Sequence, residues 1–152
     1  MYLSLPRVVS LVGSVALVFA FFMPWFSAQN LLLSGQFLHE FLGNPGDLRR
    51  FVPGSSGSAA EAQQLRLLVD LFPVCGAIGI LATLIGGLAS DGQRIANVVL
   101  ADSGLVPLAG WAVGITRLPP GATAEVGLWA IALGSLAVLL GLAMELALQR
   151  AK

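Results

Sequence analysis

The sequence predicts an all-α integral membrane protein, a four-helix bundle with a short interfacial helix in its first outer loop. The chain has 152 residues, of which 57% are hydrophobic and 11% are charged. Soluble domains carry about 25% charged residues, so this composition excludes an ordinary soluble fold. Charged residues are also missing from long stretches of the chain, at 8–38, 71–90 and 126–144. We therefore expect residues 1–152 to form a single membrane domain.

A helix that crosses a membrane needs about 20 mostly apolar residues. The apolar stretches predict four such spans, at about 7–26, 67–89, 95–116 and 124–148. The third is the least apolar, because it contains Asn97, Asp102 and Pro107, and a short re-entrant segment is its alternative. A cleaved signal peptide is the alternative for the first, but the apolar run is long and no small-residue cleavage site follows it.

Four spans place both termini on the same side of the membrane. Basic residues number four on each side, so the positive-inside rule does not decide the orientation. The terminal side has fewer acidic residues and the longest loop lies opposite, which favours cytoplasmic termini. Trp25, Trp111 and Trp129 then share the outer interface, where tryptophan is enriched. Seven Arg against one Lys indicates a bacterium with a GC-rich genome, and we predict a multi-pass protein of the bacterial inner (plasma) membrane.

The first outer loop, at 27–57, is the longest segment outside the predicted spans. Apolar residues at 33, 37, 38, 41 and 42 share one helical face, which predicts a short helix within 31–42 that lies along the interface. The face formed by Phe37, Leu38, Phe41 and Leu42 is a candidate docking surface for a partner subunit. The alternative is a cover over the mouth of the bundle.

Side chains near the predicted helix ends indicate local contacts. Ser58 and Glu61 have the spacing of a capping box, so the second long helix is expected to begin near Ser58. Arg66 and Asp70 are four residues apart and are expected to pair. His39 is expected to be exposed or hydrogen-bonded. The short connection at 90–93 predicts an antiparallel helix hairpin, and the Pro-Pro-Gly at 119–121 predicts the second outer turn.

The fourth predicted span carries small residues at coiled-coil spacing. Gly127, Gly134 and Gly141 are seven residues apart, with Ala130 and Ala137 between them. Small residues allow membrane helices to approach closely. This candidate packing seam predicts contact with another helix, either in the same bundle or in a neighbouring subunit.

One ionisable residue, Asp102, lies well inside a predicted span. Counting about 1.5 Å per residue places Thr83 and Ser14 at a similar depth. An intramembrane carboxylate is costly and is expected to face the bundle. The functional interpretation is a proton or cation site, or a contact with another subunit. The alternative, which we favour, is a protonated Asp102 that bonds Thr83 or Ser14 as a structural contact.

Nothing in the sequence indicates catalysis. It contains no phosphate-binding loop, nucleophile triad or metal motif, so we expect no catalytic residues, no metal and no cofactor, with bound lipid left open. The zero net charge gives no indication of a nucleic-acid partner. The expected partners are the lipid bilayer and other membrane protein subunits.

Met23-Pro24-Trp25 is followed by Ser34-Gly35 in the long outer loop. Together with four spans and inner termini, this is similar to claudin-like four-helix membrane proteins, although the loop lacks their Gly-Leu-Trp and Cys pair. The resemblance implies a self-associating membrane protein.

Our leading hypothesis is a non-catalytic accessory or structural subunit of a larger bacterial membrane complex, respiratory, photosynthetic or transport. The first alternative is a small oligomeric channel or transporter that uses Asp102. The second is the self-associating, claudin-like protein.

Overall fold

A computed structural model describes residues 4–28, 31–43, 58–88, 93–116, 118 and 121–151. These residues are mostly helical. The helices are α1 (Leu5–Ala20), α2 (Gly35–Leu42), α3 (Ala59–Leu88), α4 (Gln93–Thr116) and α5 (Val126–Arg150). The strands are β1 (Pro24–Ala28), β2 (Leu31–Ser34) and β3 (Thr123–Ala124).

Three of the helices are long and apolar enough to cross a membrane. They are α4, α5 and the 62–87 part of α3. α4, which matches the third predicted span, runs without interruption for 24 residues. α1 is apolar but has 16 residues. The predicted four-span bundle therefore appears as three helices of spanning length, one shorter apolar helix and the small helix α2.

The first helix ends earlier than the sequence predicts, at Ala20 instead of about residue 26. The backbone N–H groups of Phe21, Phe22 and Met23 each bond to a carbonyl three residues back, which tightens the last turn. The indole N–H of Trp25 donates to the carbonyl of Ala20 at 2.7 Å. Continuation of the apolar run hid this end, because hydropathy does not distinguish a helix from an apolar strand.

A three-stranded antiparallel sheet of order β2-β1-β3 joins the connection after α1 to the connection between α4 and α5. The register of β1 against β2 shifts between Pro24 and Phe26, which is a bulge at Trp25. The Trp25 side chain is buried, so the bulge coincides with a ring directed into the core.

The short helix predicted within 31–42 is present, but it begins at Gly35, and residues 31–34 form strand β2 instead. Ser34 caps the helix, since its hydroxyl oxygen accepts from the N–H of Phe37 at 3.1 Å.

α1, α3, α4 and α5 pack side by side, and each makes its main helix contacts with two of the others. We call these four helices the helix ring. Around it the order is α1, α3, α4, α5, and α5 closes back on α1. Leu17, Ile131 and Val138 are fully buried at the centre.

The structure describes parts of the predicted loops. α3 begins at Ala59, as the sequence predicts, and Ala62 N–H donates to the Ser58 carbonyl. At the second outer turn, Gly121 has φ +82°, a backbone conformation that favours glycine. The connection predicted at 90–93, the prolines at 119 and 120, and residues 44–57 of the outer loop lie outside the described residues, apart from Gln93, which begins α4.

Candidate functional site

The ladder of small residues on α5 lies against α1. A Cβ placed on Gly13 would come 2.6 Å from the carbonyl oxygen of Gly134. A Cβ on Gly141 would come 2.5 Å from the carbonyl oxygen of Pro6. The two backbones are therefore in direct contact along this edge, which is the arrangement that glycine permits in membrane helices.

The remaining seam residues also pack against other parts of this chain. A Cβ on Gly127 would lie 2.6 Å from the carbonyl oxygen of Pro24, at the start of β1. Ala137 lies against Gly13, and both Ala130 and Ala137 are half-buried. The seam is thus an internal contact of this chain, so it gives no independent argument for a partner.

Small hydroxyl residues line the interior of the helix ring. Ser14 and Thr83 are almost fully buried. The Ser14 hydroxyl donates to the Ser10 carbonyl at 2.9 Å, and the Thr83 hydroxyl donates to the Gly79 carbonyl at 2.8 Å. Both hydroxyls are satisfied by the preceding turn of their own helices, so neither needs a carboxyl group as its partner.

Asp102 does not bond to Thr83 or Ser14, whose hydroxyls bond to backbone carbonyls. Asp102 is exposed on the outer surface of α4, and the expectation that it faces the interior is wrong. The next residue, Ser103, takes an inward position, because successive helical residues are rotated by about 100°. The inward side of α4 has room only for small residues, because a Cβ on the neighbouring Gly104 would come 2.7 Å from the side chain of Leu139. The predicted polar site is therefore not assembled inside the ring.

An ion pair that the sequence did not predict joins α1 to α5. Arg7 Nη2 donates to Glu145 Oε1 at 3.0 Å, and the two side chains are 16% and 15% exposed. Gln93 Nε2 at the start of α4 donates to the same carboxylate at 2.9 Å. The sequence does not show this pairing, because it depends on which helices are neighbours.

A small cavity of about 10 Å³ adjoins this ion pair. Its lining includes Ser10, Thr83 and Asn97 as well as Arg7 and Glu145. That volume holds about one water molecule. The cavity can therefore hold a single water molecule or stay dry, and it is too small for a solute.

A second polar cluster ties α2 to α3. His39 Nδ1 lies 2.6 Å from Asp70 Oδ1, and Arg66 Nη2 lies 2.7 Å from His39 Nε2. With Nδ1 protonated, the imidazole donates to Asp70 and accepts from Arg66. The expected direct pairing of Arg66 with Asp70 is replaced by this bridge. His39 is hydrogen-bonded, which is one of the two states the sequence predicts for it.

The predicted docking face of α2 is mostly covered by the chain itself. Leu42 is buried, and Leu38 and Phe41 are half-buried against the core. Phe37 is 44% exposed and stacks on Phe41 with ring centroids 6.0 Å apart. Of the four residues of this face, Phe37 is therefore the one left exposed.

The three tryptophans lie at one end of the helix ring. Trp111 and Trp129 contact each other with ring centroids 5.7 Å apart, and Trp25 contacts Phe72 at 5.1 Å. The indole nitrogen of Trp111 is buried and has no hydrogen-bond partner among the described residues. A common end for these rings agrees with the interface predicted from their sequence positions.

Within the described part of the chain, no group of three or more His, Cys, Asp or Glu side chains could hold a metal ion. No family model matches the sequence, and the comparisons with curated proteins and with solved structures gave no match.

Proposed function

We propose that this protein is a non-catalytic accessory or structural subunit of a larger bacterial membrane complex, and that it contacts other membrane proteins within the bilayer. The observation that carries the proposal is the outward position of Asp102 on α4. An Asp at the centre of a membrane helix costs about 3 kcal/mol when it faces lipid. A neighbouring chain that covers Asp102 and bonds it removes much of that cost.

The pairing of the other charged groups supports this argument. Arg7 is paired with Glu145 at one end of the helix ring, and at the other end Asp70 and Arg66 are both hydrogen-bonded to His39. Asp102 makes no hydrogen bond or ion pair with any described residue and lies between those two ends, where in a bilayer its side chain would be far from water. Its neutral or charged form therefore needs a partner that this chain does not supply.

Four membrane spans with cytoplasmic termini are part of the proposal. α1 would be the fourth span: its 16 residues measure about 24 Å, and apolar residues continue to Met23. The end that holds the sheet, α2 and the tryptophans would face outward from a bacterial inner membrane. Glu145 and Arg7 would lie near the cytoplasmic surface.

Cysteine labelling tests this orientation. In a Cys75→Ala background, Glu40→Cys should react with an impermeant maleimide added to intact cells, because Glu40 is exposed at the outer end. Gln149→Cys is exposed at the opposite end and should react after the cells are opened. Labelling of Gln149→Cys in intact cells would reverse the proposed topology.

Native mass analysis of gently solubilised membranes tests the function itself. The accessory-subunit proposal expects the tagged protein to migrate with different chains at fixed stoichiometry. Complexes that contain this chain alone would refute the proposal. An unidentified partner is still detected, because its mass appears as an excess over whole multiples of the 15.8 kDa chain.

A small oligomeric channel is the second candidate, and the position of Asp102 gives it a definite form. The interior of the ring is filled by buried side chains such as Leu17, Ile131 and Val138, so an ion path would run between subunits, with Asp102 beside it. This candidate predicts a homo-oligomer whose conductance is lost in Asp102→Asn while assembly is kept. The accessory-subunit proposal predicts that assembly itself weakens.

A further inference from the structure

The outward face of α4 combines an exposed carboxylate with a regular pattern of exposed residues. Along this helix, exposed residues follow one another at alternating intervals of three and four positions, which is the spacing of a seam between packed helices. They are Ile95, Val98, Asp102, Leu105, Ala109 and Ala112. Of the three long helices, α4 is the least covered by the rest of the chain: 22% of its most apolar segment is buried, against 39% for α3 and 50% for α5.

We infer that this face binds a transmembrane helix of a different protein, and that a lysine or arginine near the middle of that helix pairs with Asp102. The inference rests on the proposed function and specifies the partner's chemistry. Ionisable residues inside membranes pair with one another, because an unpaired charge in hydrocarbon is costly. A basic side chain is the complement that Asp102 lacks.

A second copy of this chain cannot provide that complement. Its Lys and Arg residues are at 7, 49, 50, 66, 94, 117, 150 and 152, all outside the middle of the apolar helices. Arg94 is eight residues from Asp102, or about 12 Å along the helix axis. Two copies inserted in the same direction and packed through α4 would bring Asp102 against Asp102, so like groups would meet.

Site-specific photo-crosslinking in native membranes tests the inference. A benzophenone side chain at Leu105, one turn from Asp102, should crosslink to a different chain, and the crosslinked segment should contain a lysine or arginine. The same probe at Leu136, on the exposed face of α5, is the control and should give less of this product. The experiment uses the full chain in its own membrane.

Asp102→Asn should lower the crosslinked yield by at least about tenfold at unchanged abundance of the chain, since one member of a desolvated pair is removed. Leu140→Asn, which adds the same side chain on the exposed face of α5, should change it less than about twofold. Asp102→Lys should abolish the product, and replacing the partner's basic residue with Asp in that background should restore it. Restoration identifies a charge pair even where a single variant assembles poorly.

The other outcomes overturn the inference, either alone or together with the proposed function. A crosslink between two copies of this chain, a partner segment without a basic residue, or an unchanged yield with Asp102→Asn overturns the inference. If a different chain co-migrates but crosslinks only from α5, the proposed function holds and this inference fails. If no different chain is found in the native mass or in any crosslink, both fail.

Discussion

Gly13→Leu is expected to lower the free energy of unfolding in mild detergent by at least about 3 kcal/mol. The new side chain would meet the backbone of Gly134 and Val138, which cannot move aside as a flexible side chain can. α1 and α5 would have to separate, and the contacts between these two helices would be lost along their length. Thermal unfolding followed by the helical circular dichroism signal measures the effect.

Ala143→Leu is the matched control for this variant. It also places a leucine at a small residue of the helix ring, but Ala143 is exposed on α5. It should unfold at a temperature close to that of the unmodified protein. Similar unfolding temperatures for Gly13→Leu and Ala143→Leu would show that α1 and α5 are not in backbone contact.

Glu145→Leu should be the next most damaging change, with a loss of about 3 kcal/mol. The substitution leaves the Arg7 guanidinium without its carboxylate partner in a site where both side chains are mostly covered. It also removes the acceptor for Gln93. Equilibrium unfolding of the purified protein in detergent gives the magnitude.

The Arg7→Leu/Glu145→Leu double variant separates the ion pair from simple packing. Removing both charges should recover most of the lost stability, because a pair of apolar residues leaves no buried charge behind. A double variant that is as unstable as Glu145→Leu alone would mean that the loss comes from shape and not from charge. The stability of Glu145→Gln should lie between those of Glu145→Leu and the double variant, since the glutamine can still accept a hydrogen bond from Arg7.

The parts of the fold that depend on local pattern could be predicted from the sequence. The apolar stretches located α3, α4 and α5 to within a few residues, except that α3 begins earlier in the sequence than its apolar part. The capping pattern at Ser58 marked that beginning. The glycine ladder indicated a close contact of α5, although it did not identify α1 as the neighbour.

The parts that depend on distant residues could not be predicted. Strand β1 is recognisable as a strand because it pairs with residues 31–34 on one side and 123–124 on the other. Its own residues continue the apolar run of α1. The orientation of Asp102 is a similar case, because the rotation of α4 is set by how closely Gly104 and Ser103 approach their neighbours, and sequence position alone does not give that rotation.

The contacts of α1 have a consequence for the order in which the protein assembles during synthesis. Its most extensive helix contact is with α5, and Ser27 bonds to Thr123, 96 residues further along the chain. When α1 leaves the ribosome, these partners have not yet been made, and α3, its other neighbour in the helix ring, is made before them. Translation must pass residue 124 before the sheet can close, and it must complete α5 before Arg7 meets Glu145. The last helix to be made therefore completes the contacts of the first.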